Sequence, residues 1–135
     1  MNNVFSDAID ADFSNLKFEK IIIKNAKNDC IDLSSGKYYI KYAELSECGD
    51  KAISVGEKST LIVGFSKISS SEIGLASKDS SVVRANSVVA ENVTTCFSAY
   101  NKKQEYFGAK ISVDQHNCHP NQFFQQEGSL IEVVQ

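Results

Sequence analysis

One proline in 135 residues (Pro120), no tryptophan and six leucines leave little room for several common architectures. Proline has no N–H to give to a ladder, so its near absence suits long, continuous β pairing. Leucine this scarce is unusual in a helical protein of this size. Basic residues show no excess either. Fourteen Lys and Arg stand against 17 Asp and Glu, interspersed, for a net charge of −3. A nucleic-acid partner needs a basic face to neutralise phosphates, so none is expected. No apolar run approaches the ~20 residues of a membrane span. The opening MNNVFSDAIDADF has neither the basic nor the apolar stretch of a signal peptide. The expectation is a cytoplasmic protein if this chain is whole, and an extracellular or cell-surface one if it is a piece of something longer. Phosphate-binding loops, nucleophile elbows, CxxC and HExxH are all missing, and no nucleotide cofactor is expected.

What is present is serine and periodicity. Eighteen serines fit a chain of short strands and polar turns, and 42% hydrophobic content suffices for one domain with a core. Ile9, Ile31, Ile53, Leu75 and Phe97 follow one another at intervals of 22 residues. Two places after each stands Ala11, Leu33, Val55, Ser77 or Ala99, with mostly polar residues between. That is a period of two, hence a strand with one buried face. Leu16 and Tyr38, Phe18 and Ile40, Ile21 and Ala43, and Ile23 and Leu45 repeat the 22-residue interval. Leu61 with Val83, and Val63 with Ala85, keep it too but sit one residue out of step. The turn Gly56–Ser59 is where such a slip is absorbed, because loops tolerate insertions and strands do not.

A fixed period of this length is the mark of a solenoid. Leucine-rich repeats share the period but need an LxxLxLxxN ladder that no coil carries. The expected fold is therefore all-β: a right-handed parallel β-helix of five to six coils of 22 residues. Residues 1–115 make the coils, and 116–135 either cap the last coil or begin another. Open ends would be unprotected β edges, available for self-association.

The segments NDCIDLSSG (28–36), CGDKAISVGEKS (48–59), IGLASKDSS (73–81) and SAYNKKQEYFG (98–108) resemble repeat blocks of the pectate-lyase-like superfamily, in particular those of large bacterial surface or secreted proteins. The likeness covers nearly the whole chain. It implies the fold, while activity is carried by analogy only, because that fold serves lyases, hydrolases, epimerases, adhesins and tail spikes. Two features depart from the superfamily's enzymes: the coils are few, and Asn101–Phe107 interrupts the register.

The resemblance implies acidic polysaccharide as a ligand and points to one groove. Lys78, Lys102 and Tyr100 are the candidate catalytic groups, with a lysine as proton acceptor. Glu57, Asp79, Lys103, Tyr106 and Phe107 are the candidate substrate contacts, the two aromatics as stacking platforms. The plainer reading of Glu57, Lys78, Asp79 and Lys102 is an exposed ionic ladder that settles coil register, and it is preferred. The function that follows is a non-catalytic structural or ligand-binding module of a larger or self-assembling surface protein, with a polysaccharide lyase or epimerase as the alternative.

Asp10 and Asp32 stack with like charge, among Asp7, Asp12 and Asp29. No cofactor is required, but a Ca²⁺ ion at Asp10 and Asp32 would relieve that repulsion. Alternatively, Asp7 and Asp29 cap turns. Cys30 and Cys96 share a column three coils apart, about 14 Å at ~4.8 Å per coil, too far to bridge. The insertion disturbs the register between Cys96 and Cys118. Reduced, space-filling thiols are expected, and His116, Cys118 and His119 are read as a polar loop.

Overall fold

The structure, a computed structural model, describes residues 2–4 and 7–133, with side chains from Asp7 to Val133. Eleven strands run along the chain. They are β1 (Asn2–Val4), β2 (Ile9–Asp12), β3 (Asn15–Ala26), β4 (Ile31–Ser34), β5 (Lys37–Cys48), β6 (Lys51–Gly56), β7 (Thr60–Lys78), β8 (Val82–Tyr100), β9 (Lys110–His116), β10 (Phe123–Gln125) and β11 (Leu130–Val133). Every pairing among them is parallel, and the chain forms a β-solenoid of about 6 turns. No helix among the described residues is long and apolar enough to cross a membrane.

Register follows the sequence period. Ile9 pairs with Ile31, Ile31 with Ile53, Ile53 with Leu75, and Leu75 with Phe97. From Ile31 onward all of this row is fully buried. Phe123 continues it, its ring centroid 5.1 Å from that of Phe97. A second inward row runs Leu16, Tyr38, Leu61, Val83, Ile111 and Ile131, buried from Tyr38 to Ile111. Each coil thus rests its apolar side chains on those of the coil below, and dry contact along the stack supplies the cohesion.

The one-residue slip falls where the turn allows it. Ser34 pairs with Gly56 at an interval of 22, and Lys37 with Thr60 at 23. The extra residue is given back one corner later, for Lys51 pairs with Ile73 at 22 again. Corners turn through one or two residues with positive φ, Lys58 and Ser80 following Glu57 and Asp79 in that conformation, and the first residues stack as well. Phe13, Ser35, Glu57 and Asp79 have φ of 50–53°, and Asn25, Glu47, Ser70 and Asn92 have φ of 51–67°. A non-glycine residue pays roughly 1–2 kcal/mol for that conformation, which the continuing ladder offsets. Lys58 N–H, for instance, donates to Asp79 O at 2.9 Å across the corner.

The cysteines contradict the expectation of reduced thiols. Cys30 is bonded to Cys48 and Cys96 to Cys118, with Cα separations of 5.4 and 6.5 Å and no cysteine left free. Column arithmetic compares residues at multiples of the period and so misses neighbours across a corner. Cys30 opens a coil, and Cys48 closes the long strand of that same coil as the chain returns over its start. Cys96 and Cys118 bridge the same corner higher in the stack.

Above β8 the ladder is finished partly by side chains. Asn117 imitates a strand toward Ala90, accepting its N–H at Oδ1 (2.7 Å) and donating from Nδ2 to its carbonyl (2.9 Å). Gln122 Nε2 donates to Val93 O at 2.9 Å, and Asn101 N–H donates to Gln126 Oε1 at 2.6 Å. Between these contacts β10 and β11 pair with β8 and β9.

Candidate functional site

The short strands β2, β4 and β6, with the last residues of β7 and β8, present one outer face. Alternation turns Asp10, Asp32, Ser54, Ala76 and Ser98 outward in one row, and Asp12, Ser34, Gly56, Lys78 and Tyr100 in the next. Ser54 and Ala76 are nevertheless fully buried, and Ser54 Oγ has no hydrogen-bond partner among the described residues. Lys78 runs along Gly56, where an added Cβ would stand 3.0 Å from Lys78 Cε. Glycine at 56 is what gives the lysine its bed.

The insertion 101–107 packs on the adjoining corner. It lengthens the step from Val82 to Lys110 to 28 residues. Asp79 organises it: the residue is 1% exposed, and its Oδ1 accepts the backbone N–H groups of Lys102 (2.7 Å) and Lys103 (2.8 Å). Ser80 and Phe107 exchange bonds, with Ser80 N–H donating to Phe107 O at 2.9 Å and Phe107 N–H to Ser80 Oγ at 2.7 Å. Asn101 Nδ2 donates to the carbonyls of Tyr106 and Phe107. Lys103 pairs with Glu57, and Lys58 Nζ lies 6.0 Å from the Tyr106 ring centroid.

Asp32, Glu57, Lys78, Asp79, Lys102 and Lys103 therefore line one cleft of about 170 Å³. Small-molecule sites are generally ~300–1,000 Å³. Tyr100 stands beside Lys78 in register but turns its ring toward Phe124, centroids 6.4 Å apart. Phe107 is exposed and Tyr106 half-buried, on the insertion rather than in the cleft. The arrangement thus gathers most of the candidate groove, and commits one oxygen of the buried Asp79 carboxylate to backbone while Oδ2 has no hydrogen-bond partner among the described residues.

Below the cleft the aspartates converge. Carboxylate oxygens of Asp7, Asp10 and Asp32 lie within 4.8 Å of one another. Asp7 Oδ1 accepts Asp29 N–H at 2.9 Å and Asp29 Oδ1 accepts Lys51 N–H at 3.1 Å, so these two also bridge successive coils. The Asp7, Asp29, Lys51 row repeats at the coil period, the signal that marks it in sequence. Hard oxygen donors of this kind suit a cation such as Ca²⁺, although three carboxylates supply only part of its usual shell of 6–8 oxygens.

Burial drives the electrostatics here. It pushes the Asp32 carboxyl up to about 6, against the pull of Lys78 and with help from Asp29, Asp7 and Asp10. Burial raises Asp29 as well, with Lys51 opposing. For Lys51 burial favours the neutral amine, but the hydrogen bond to Asp50 and the charge of Asp29 outweigh it and raise its pKa. Burial raises the Tyr100 phenol, again against Lys51.

The candidate His/Cys loop is dispersed. Cys118 is in a disulfide, His116 Nδ1 accepts the Cys118 N–H at 3.0 Å, and His119 precedes the 3₁₀ turn Pro120–Gln122. Comparison with protein-family models, curated proteins and solved structures finds no match to this chain.

Proposed function

We propose that this chain is a non-catalytic β-solenoid module, structural or ligand-binding, of a larger or self-assembling bacterial or phage surface protein. Membership of the pectate-lyase-like superfamily and a carbohydrate ligand are parts of that proposal and rest on the repeat segments. The observation that carries the reading is the use of Asp79. A catalytic or cation-binding carboxylate must be open to its ligand, whereas Asp79 is 1% exposed, its Oδ1 receives two backbone N–H groups of the loop that narrows the cleft, and its Oδ2 is buried without a hydrogen-bond partner among the described residues. The protein's own loop narrows the groove to about 170 Å³.

One arrangement favours the alternative, a lyase or epimerase acting on acidic polysaccharide. Lys78 and Tyr100 are register neighbours on a polar face that also carries the half-buried Asp32. A single assay separates the module from the lyase. The chain is incubated with a panel of acidic polysaccharides and Ca²⁺ while the absorbance of new unsaturated ends is followed. The module reading expects no turnover. Turnover that is lost in Lys78→Ala would replace it with the enzyme.

A further inference from the structure

The long strands carry further outer surface in two stretches, because the buried positions change parity between Ile40 and Ala43 and at the residues stacked on them. On β3, β5, β7 and β8 the outward positions include Ile22, Tyr39, Ile62, Val82 and Val89, all exposed. Buried residues flank Ile22, Tyr39, Ile62 and Val82 on both sides, and Val89 lies between buried Val88 and half-buried Ala90. A one-sided sheet normally turns polar residues to water. Strand propensity alone accounts for β-branched residues at such places singly, but not for what borders them.

The border is cationic. Segments 15–24, 37–46 and 60–69 hold six lysines against two glutamates, a balance of +4 in a chain of net charge −3. Lys24 and Lys41 pair with Glu47 and Glu19. Lys17, Lys37, Lys67 and Arg84 have no ion-pair partner among the described residues. Two clefts adjoin on this face. One of about 660 Å³ is lined by Lys17, Lys37, Tyr39, Thr60 and Ile62 among others, and one of about 530 Å³ by Glu19, Lys20, Lys41, Tyr42 and Phe65. Both exceed the groove beside Asp79.

We infer that this face docks a polypeptide partner presenting an apolar strip bordered by carboxylates. Charge complementarity selects the sign, and the spacing selects the class. Lys17, Tyr39, Ile62 and Arg84 form one column, so its two cations stand three coils apart, about 14 Å at ~4.8 Å per coil. Duplex nucleic acid carries one charge per ~1.7 Å and calls for a denser array. A sugar would seek a platform of open aromatic rings, and Tyr39, 36% exposed, stands alone in its column between Lys17 and Ile62. Tyr42 instead has Phe65 stacked 5.3 Å away at 18° and Lys20 Nζ 5.6 Å from its ring centroid, while its hydroxyl donates to Glu44 at 2.9 Å. What stays exposed is mainly aliphatic, the surface a protein buries.

The test uses the full chain and defined probes, read by fluorescence anisotropy. The probe is a peptide of about 16 residues alternating Glu and Leu, compared with an all-Glu peptide, an oligogalacturonate and a single-stranded oligonucleotide of matched charge. The Glu/Leu peptide is expected to bind at least about tenfold more tightly than the other three and to weaken as salt rises from about 0.05 to about 0.3 M. Lys17→Glu with Lys37→Glu, and separately Ile62→Asn, should each weaken it about tenfold. Lys102→Glu, on the groove side, should leave it unchanged, with circular dichroism confirming that each variant is folded. Tighter binding of the glycan or the oligonucleotide, no binding by the Glu/Leu peptide, or indifference to the face substitutions would overturn the inference. Polysaccharide turnover, measured separately, bears on the module reading alone.

Discussion

Asp79 and Asp32 line the same cleft two coils apart and illustrate two fates of a carboxylate on a stacked sheet. Asp79 is buried but receives backbone donors, and its replacement by alanine would leave Lys102 and Lys103 N–H without acceptors. Asp79→Ala should cost about 1–3 kcal/mol in denaturant unfolding and should speed hydrogen exchange at those two amides. Unchanged exchange would mean that the insertion is held some other way. Asp32 lacks such donors, and its carboxyl titrates near 6 in the fold against 3.8 ordinarily. The folded state therefore binds the proton more tightly than the unfolded one. The stabilising contribution of the protonated group is complete below about pH 4 and is lost as pH rises through about 6. The melting midpoint should accordingly fall between about pH 4.5 and pH 7, and Asp32→Asn should flatten that fall. A bound cation would hold Asp32 charged, so added Ca²⁺ should leave the pH profile unmoved if the site takes none. Phe13, Glu47 and Ser70 at positive φ show what residue types conceal, because nothing in their chemistry announces a corner. Only their 22- and 23-residue spacing does.

At the scale of the coil, legibility depends on whether an interaction follows the period. The rows from Ile9 to Phe97 and from Leu16 to Val83 were legible because each member meets its successor one turn on. The slip at Gly56–Ser59 was legible for the same reason. Contacts across a corner were not. Cys48 lies 18 residues from Cys30, an interval with no meaning in the column scheme, yet the returning chain sets them side by side. The insertion defeated the reading of Cys118 in a different way, by breaking the register that had placed it. Intact-mass measurement with and without reductant should show a difference of two disulfides. Cys30→Ser with Cys48→Ser should lower stability by about 3 kcal/mol, the loop-closure value for a ring of this size. A protein whose mass does not change on reduction would refute both bonds.

For the whole molecule, the stack separates two outer faces. The short-strand face gathers Asp7, Asp10, Asp29 and Asp32 beside a narrow cleft, and the long-strand face combines lysines with exposed aliphatics. The groove residues were recoverable from sequence because they sit just after the anchor strand, coil upon coil. The second face was not, because composition averaged its positive balance away against the aspartates. Both faces exist only if the coils superpose. The most direct measurement is a methyl NOESY spectrum of the chain labelled at isoleucine and leucine. Superposed coils predict cross-peaks joining Ile31 to Ile53, Ile53 to Leu75, and Leu45 to Ile68. A spectrum in which these methyls meet only residues near them in sequence would contradict the solenoid and everything built on it.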